Sequence, residues 1–471
     1  MDWLEDSRRM LASEVFRLQE FVKGHRTFSV LRDMQREQWI SQDALRDVQE
    51  HRLRALIKSA DSVPYYHELF HRADLNPDNF RVADLQRIPF LTKEIIRVNL
   101  ARMKALKTKG VKKFSTGGST GSPLTFYLGP TRVSSDVAAR IRAESWFGVV
   151  PGDPEFAIWG SPVEISKQDR IRELRDRILC TQLLSAFEMS PETMSRYLDE
   201  MEQRGCRRVF GYPSSIALLC EHARQEKRDL RKLGVKAVFV TAEYLYEHWR
   251  KTIAETFDCP VANGYGGRDS GFVAHECPIG GMHITADRLI VEIVDAQGRP
   301  QPFGHAGEIV VTNLDTPEMP FIRYRAGDVG VLTDRCCACG RMLPLLERVD
   351  GRTTDFVVAP DGRVMHGLSL IYVMREITGI KAFRITQEKV TSFKVQIVRD
   401  EKYESCSEER IRKSFMQRLK SPVDVGISYS ESIPPTPSGK TRHIISEVSP
   451  PSTGVWPLSG LSEANAKEKL K

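Results

Sequence analysis

The sequence predicts an α/β protein with a helical N-terminal extension, a β-rich segment after the main alternation, and a small α+β segment near the C-terminus. Three observations carry this reading. From about residue 110, short β-prone runs alternate with longer helical patterns, the order that builds a sheet covered by helices. Residues 1–110 read as largely helical. After about residue 283 the helical period gives way to strand runs.

The elements follow in chain order. Trp3, Leu4, Leu11, Val15, Leu18 and Val22 recur at three- and four-residue steps and predict a core-facing helical stripe. Residues 85–96 read as a loop running into a helix. Strands are expected at 124–129, 155–160, 207–212, 236–242 and 260–266, and helices at 131–146, 191–204, 214–227 and 246–257. Ser190-Pro191 is a helix start, with serine as cap and proline at the first helical position. Then come strand runs at 283–295, 307–315 and 330–335. Asp361-Gly362 between two apolar runs predicts a hairpin. Strands near 383–386 and 392–398 and a helix near 407–420 complete the smaller segment. The Pro/Ser/Gly-rich and then charged end, 449–471, reads as a flexible tail.

Composition narrows the function classes. The chain has 471 residues, 41% hydrophobic and 28% charged, which excludes wholesale disorder and a disulfide scaffold. Lys and Arg exceed Asp and Glu by seven (69 against 62), with acidic residues interleaved, so neither nucleic acid nor a basic arm is indicated. No apolar stretch reaches the length of a membrane span, and the charged N-terminus is not a secretory signal. A cytoplasmic location is expected, where clustered cysteines point to metal or catalysis before disulfides.

The densest loop is Ser115-Thr116-Gly117-Gly118-Ser119-Thr120-Gly121-Ser122-Pro123. Its glycines permit close backbone approach, and its N–H groups and hydroxyls can wrap a polyphosphate. It is neither a GxxxxGK[ST] loop nor a GxGxxG loop. A second cluster is Cys277 and His283, then Cys336, Cys337, Cys339 and Gly340. Three thiolates and one imidazole suit tetrahedral Zn²⁺ with no position left for water, hence a structural role. Cys277, His283, Cys337 and Cys339 are the expected ligands, with Cys336 as the alternative to Cys337. Tyr212 and Trp159, each after a β-prone run, are candidate walls of a substrate pocket.

The loop 115–123 resembles the phosphate-gripping loop of adenylate-forming enzymes, the superfamily of acyl-coenzyme A synthetases, peptide-synthetase adenylation domains and luciferases. Further motifs recur in order: Val240-Thr241-Ala242-Glu243, Asn263-Gly264-Tyr265-Gly266-Gly267-Arg268-Asp269, Tyr324-Arg325-Ala326-Gly327-Asp328, Gly351-Arg352-Thr353-Thr354-Asp355 and Pro437-Ser438-Gly439-Lys440. With 63–70, 209–216, 274–283, 319–328 and 337–344, the chain most resembles phenylacetate–coenzyme A ligase-like proteins over roughly 60–446. Some of these proteins carry a similar cysteine and histidine set that binds zinc.

The resemblance implies a large adenylate-forming domain at 1–351 that binds ATP and the acid, a small mobile lid domain at 352–448, and a hinge at 352–355. It implies an AMP-forming ligase that joins a carboxylic acid, aryl or arylacetic by the family's name, to coenzyme A. Ser115, Thr116, Gly117, Gly118, Ser119, Thr120 and Gly121 would grip phosphates, with Ala242, Glu243, Asn263, Tyr265 and Gly266 on the adenine side. Asp328 would take the ribose hydroxyls and Asp269 would hold Mg²⁺. Arg352 would contact phosphate, and Lys440 would bridge the carboxylate and the ribose–phosphate side. Three departures stand out: Ser122 where such loops often carry Lys, Asp269 in place of Glu, and Ala326 in place of Thr. The expected cofactors are ATP, Mg²⁺, structural Zn²⁺ and coenzyme A as co-substrate. The partners are the small-molecule acid, ATP and coenzyme A, with a homodimer and a separate carrier protein left open. Alternatives are acyl transfer to an amine, alcohol or carrier-protein thiol, and a non-catalytic nucleotide-binding homologue.

Overall fold

The structure is a computed structural model that describes residues 2–106, 108–115, 124–159, 178–186, 189–295, 297–352, 356–362, 364–404, 406–433 and 443–448. It divides into two compact units. The first takes 1–291, 311–325 and 334–346; the second takes 292–310, 326–333 and 347–471. The division is therefore not contiguous along the chain.

The first unit begins with five helices: α1 (Asp2–Val22), α2 (Thr27–Glu37), α3 (Gln42–Ala60), α4 (Pro64–Arg72) and α5 (Lys93–Asn99). Side-chain caps start two of them. Ser41 accepts from the Ala44 amide ahead of α3, and Thr92 from the Ile95 amide ahead of α5. The stripe expected on α1 does not face the core: Leu11, Leu18 and Val22 are largely exposed. The inward side is instead Ala12, Phe16 and Glu20, with Phe16 edge-on to Phe28 and Glu20 accepting from Thr27. A buried hydrogen-bonded carboxylate sets the orientation here, and a count of apolar spacings does not register it.

A hairpin follows, β1 (Lys112–Ser115) against β2 (Thr125–Leu128), then α6 (Pro130–Ser145). The main alternation is β3 (Glu155–Trp159), β4 (Thr181–Ser185), α7 (Pro191–Arg204), β5 (Arg208–Gly211), α8 (Pro213–Gln225), β6 (Ala237–Thr241), α9 (Glu247–Phe257) and β7 (Val261–Gly267). These strands lie parallel in the order β4-β3-β5-β6-β7. The antiparallel strands β8 (Gly271–Glu276) and β9 (Met282–Ile284) continue the sheet past β7. Helix α7 forms as expected: Ser190 accepts from the Thr193 amide, and Met194, Tyr197, Leu198 and Met201 bury one face. They join Phe156, Val209, Val238 and Ile253 in the sheet–helix core. A second core packs α3 and α4 against Phe126, Phe321 and Tyr324.

Four strands run between the units along the chain: β10 (Leu289–Val294), β11 (Ala306–Asn313), β12 (Phe321–Thr333) and β13 (Leu345–Arg352). The single run expected at 283–295 is two strands, because the backbone turns at Thr285–Arg288 with the Arg288 amide on Thr285 O. In the second unit, β14 (Phe356–Val358) and β15 (Val364–His366) form the expected hairpin, with Gly362 at φ +83°. After α10 (Leu368–Arg375), the strands β16 (Ile380–Lys389), β17 (Ser392–Arg399), β18 (Asp424–Tyr429) and β19 (Ile444–Ser446) pair in the order β18-β17-β16-β19. Helix α11 (Ser407–Leu419) buries Ile411, Phe415 and Leu419 against Phe393, Val395 and Ile397. Among the described residues no helix is long and apolar enough to cross a membrane.

Candidate functional site

In open α/β sheets, ligands bind beyond the carboxyl ends of the parallel strands. Trp159 closes β3, Tyr212 follows β5, Thr241 closes β6, and β7 carries Asn263–Gly267. All belong to the first unit. Trp159 and Tyr212 stack with centroids 4.2 Å apart and planes 20° off parallel, and Phe210 lies 5.4 Å from the same indole. A Cβ on Gly211 would sit 2.3 Å from Ile158 O, so glycine is what lets β3 and β5 approach where the stack forms.

Past β6 the chain bends at Ala242, which holds φ +70°. Such a backbone is unfavourable for alanine and marks a constrained turn. It sets Glu243 over the start of α8, where its carboxylate accepts from the Ser214 amide at 3.2 Å. Thr241 Oγ1 donates to Gly264 O at 2.7 Å, tying β6 to β7. Asn263 N donates to Glu276 Oε2 at 2.7 Å.

The β7–β8 hairpin changes register between Tyr265 and Gly266. A Cβ on Gly266 would fall 2.1 Å from Gly271 O, so only glycine fits the close crossing. Bulges of this kind re-aim the residues beyond them, here Arg268 and Asp269 at the tip. Asp269 Oδ2 accepts from the Tyr324 phenol at 2.6 Å, and Oδ1 accepts from the Ser270 amide at 3.1 Å. Arg268 Nη1 donates to Ser115 O at 3.4 Å, a contact across 153 residues, and Ser115 Oγ meets Thr125 Oγ1 at 3.2 Å.

Tyr324 is fully buried. Leu91 clamps its neighbours: the Leu91 amide donates to Arg323 O at 2.9 Å, and the Arg325 amide to Leu91 O at 3.0 Å. Arg323 takes φ +51°, lays its guanidinium over Phe90 at 4.2 Å and donates to Ile88 O at 2.8 Å.

Ser115, Asp269, Ala242, Glu243, Asn263, Tyr265, Gly266, Trp159 and Tyr212 all lie in the first unit, and Arg268 links Ser115 to the hairpin tip that carries Asp269. Asp328 is half-buried on the part of β12 in the second unit, after Gly327 at φ +78°. Arg352 is the last residue of β13. Thr116, Gly117, Gly118, Ser119, Thr120, Gly121 and Lys440 lie outside the described residues, as does the tail 449–471. Tyr324, which fixes Asp269, and Arg268 are among the motif residues that the sequence alone leaves without a role.

The cysteine and histidine cluster also lies in the first unit. One ligand atom each from Cys277, His283, Cys337 and Cys339 falls within 4.8 Å of the others. Cys277 Sγ and Cys337 Sγ are 3.6 Å apart, and His283 Nε2 is 3.1 Å from Cys339 Sγ. A tetrahedron with metal–sulfur bonds of about 2.3 Å has edges of about 3.8 Å, so the donors suit Zn²⁺. Cys336 is exposed and stands outside the group. His283 Nδ1 sits 3.1 Å from Leu343 O, which orients the ring and leaves Nε2 to the cluster. Burial pushes the His283 imidazole below its ordinary pKa, toward the neutral form that ligates metals. Gly281 packs against Cys337, where a Cβ would meet Sγ at 2.7 Å.

The parallel core, the bulged hairpin and the second unit's small sheet make the fold that of the adenylate-forming ligases. A 2-hydroxyisobutyryl-CoA ligase, solved in the postadenylation state with an acyl-AMP, superposes with a TM-score of 0.70 at 20% identity, covering 88% of this chain and 91% of that one. In sequence, this chain is similar to phenylacetate–coenzyme A ligases and to Protein CapK. Phenylacetate-coenzyme A ligase of Thermus thermophilus is 27% identical over 338 residues, 68% of this chain and 73% of the relative. Protein CapK of Staphylococcus aureus is 23% identical over 391 residues, 82% of this chain and 85% of the relative. Residues 357–447 match the family model of the CapK C-terminal domain.

Proposed function

We propose that this protein activates a carboxylic acid with MgATP as an acyl-adenylate and passes the acyl group to coenzyme A. A carboxylate is a poor electrophile. Its oxygen attacks the α-phosphorus, the α–β phosphoanhydride bond breaks, and pyrophosphate leaves with the electron pair. Thiolate attack on the acyl carbon then expels AMP and forms a thioester. Both steps gather charge on phosphate oxygens, so catalysis is chiefly positioning and electrostatics.

The observation that carries this reading is the Arg268–Ser115 contact beside the Tyr324–Asp269 hydrogen bond. It joins the first residue of the glycine-rich segment to the hairpin tip that presents a carboxylate. Asp269 suits Mg²⁺: it is a hard oxygen ligand, and each oxygen accepts one hydrogen bond and keeps a second acceptor direction. Bound there, Mg²⁺ would neutralise charge on the leaving pyrophosphate. The segment 115–121 would hold the phosphates. Ala242, Glu243, Asn263, Tyr265 and Gly266 would line the adenine side, Asp328 would take the ribose, and Arg352 a phosphate. Trp159 and Tyr212 would wall the acid pocket, and an aryl or arylacetic acid is the proposed substrate class.

The proposed domain division is 1–351 and 352–448, with movement at 352–355 bringing Lys440 in for adenylation and away for thiol transfer. Zn²⁺ held by Cys277, His283, Cys337 and Cys339 is proposed as structural, since four protein ligands leave no open position. The thiolate-rich set agrees with a cytoplasmic location.

The test is a pyrophosphate-release screen over aryl, arylacetic, fatty and amino acids, with and without coenzyme A. Lys440→Ala should abolish exchange while ATP still binds. ATP binding without pyrophosphate release from any acid would favour a non-catalytic homologue. An acyl-adenylate that turns over only with an amine or a carrier-protein thiol would move the acceptor.

A further inference from the structure

We propose that Arg341 is the counter-charge of the thiolate cluster and holds the Zn²⁺ site against its own excess of negative charge; the proposal rests on the zinc reading above. Three thiolates and one neutral imidazole around a dication leave one negative charge uncompensated. Two of the four ligand residues are buried and two half-buried. Excess charge held away from water is costly unless a group of opposite sign stands close.

Arg341 lies two residues past Cys339, just beyond the turn that carries Cys337 and Cys339. The Gly340 amide donates to Cys337 O at 3.1 Å, and Gly340 holds φ +80°. The turn brings Arg341 back onto the cluster, where both its backbone amide and its side chain hydrogen-bond Cys339. Outer partners of this kind orient metal ligands and tune their charge.

The guanidinium is fixed from several sides. It lies over the Trp146 ring at 4.6 Å and the Trp39 ring at 5.1 Å. Arg341 Nε donates to Gln38 Oε1 at 3.2 Å, and Trp146 Nε1 donates to the same oxygen at 2.9 Å. The Met342 amide donates to Gln38 O at 2.9 Å. Trp146 in turn stands edge-on to the ligand His283, with ring centroids 5.6 Å apart. Among the described residues no carboxylate pairs with Arg341, which leaves the thiolates as its anionic partner. The other guanidinium that acts on His283, Arg142, is already paired with Asp287 at 2.9 Å.

Zinc affinity is the readout, measured on the intact chain by competition with a chromophoric chelator. Arg341→Met keeps an unbranched chain between the two indoles and removes the charge. It should weaken zinc by about 10- to 100-fold, the scale for losing a partner of a metal ligand. Arg341→Lys should recover most of that loss as a point charge. Cys277→His gives a site of two thiolates and two imidazoles with no net charge. In that background Arg341→Met should change zinc affinity by no more than about twofold, the scatter of independent sites. Should Arg341→Met fail to fold, Arg341→Gln is neutral, can still donate to Gln38, and is read against the same outcomes. Unchanged affinity in the neutral variant overturns the proposal. So does a lysine variant as weak as the neutral one, or an equal loss in the Cys277→His background, since either result reduces Arg341 to packing. A wild type that yields all its zinc to a weak chelator would mean that the zinc reading itself has failed, a separate outcome from a wild type that keeps zinc with or without Arg341.

Discussion

The phenol of Tyr324 donates a 2.6 Å hydrogen bond to Asp269 Oδ2 from a position with no solvent exposure. The donor cannot swing away, because Leu91 pairs with the backbone on either side of it and Arg323 is locked against Phe90 and Ile88. Aspartate is one methylene shorter than glutamate, so if Asp269 holds Mg²⁺ as proposed, its direction decides whether the carboxylate reaches the ion. Tyr324→Phe keeps the packing and removes the donor, a loss of about 1.5–3 kcal/mol for a bond to a charged group. The Mg²⁺ concentration giving half-maximal pyrophosphate release should rise several-fold, and the thermal midpoint should fall by a few degrees. An unaltered Mg²⁺ titration would mean that the phenol does not position the carboxylate.

The thiol cluster gives a second expectation with an internal control. The protein should contain about one equivalent of zinc per chain by elemental analysis. Substituting Cys339 or Cys277 by Ser should lower metal content and thermal stability together, because a Zn²⁺ ion held there would join the residue that follows β8 and strand β9 to the 337–339 turn. Cys336→Ser should do neither, since that thiol is exposed and outside the group. Zinc loss in the Cys336 variant with retention in the Cys337 variant would exchange the two assignments.

Acid stability should depend on a buried cluster on α6 and the sheet. Glu155 is buried and receives Arg208 Nη2 at 2.6 Å together with Arg140, while Arg140 Nε also binds Glu144 at 2.7 Å. Burial alone would push the Glu155 carboxyl upward, but the Arg140 and Arg208 guanidiniums outweigh it and hold the group below its ordinary 4.5. The folded value lies below the unfolded one. The contribution is therefore complete above about pH 4.5 and is lost as pH falls through and below that value. Glu155→Gln should cost about 3–5 kcal/mol at neutral pH, because it leaves two guanidiniums short of a partner. It should also flatten the fall in stability below pH 4.5. A variant with the same acid limb in chemical denaturation would exclude Glu155 as its source.

What the sequence made legible follows from what a local pattern can encode. Helix α7 was readable from Ser190, Pro191 and a four-residue apolar face, and the β14–β15 hairpin from Asp361-Gly362, because caps and turns depend on adjacent residues. Strand β8 was not read, since GFVAHE (271–276) has neither alternation nor β-branched density; pairing with β7 and β9 makes it a strand. The apolar spacing of α1 points to the wrong face because Glu20, a charged residue, is buried by Thr27 and His25. Arg132 and Arg142 of α6 are likewise fully buried, and an alternation of polar and apolar letters cannot distinguish them from a solvated face. At the site, donor chemistry and spacing point to the four cluster ligands. Tyr324 and Arg268 acquired roles only once residues 55 and 153 positions away met them.

The aromatic stack yields the last expectation, in which packing and specificity separate. Trp159 and Tyr212 lie face to face at the carboxyl ends of β3 and β5, and Gly211 sets the distance between those strands. Gly211→Ala would drive a methyl group to 2.3 Å from Ile158 O, so the strands must part and the stack with them. Overpacking of this kind costs about 1–3 kcal/mol, so the thermal midpoint should fall and every acid should be affected alike. Tyr212→Leu leaves the strands in register and removes one ring of the pair, about 0.5–1.5 kcal/mol of aromatic interaction beyond buried area. If the stack walls the acid pocket, this variant should raise KM for aryl acids several-fold, change short aliphatic acids little, and leave ATP binding alone. Equal losses for aryl and aliphatic acids would reduce Trp159 and Tyr212 to core residues at the edge of the sheet.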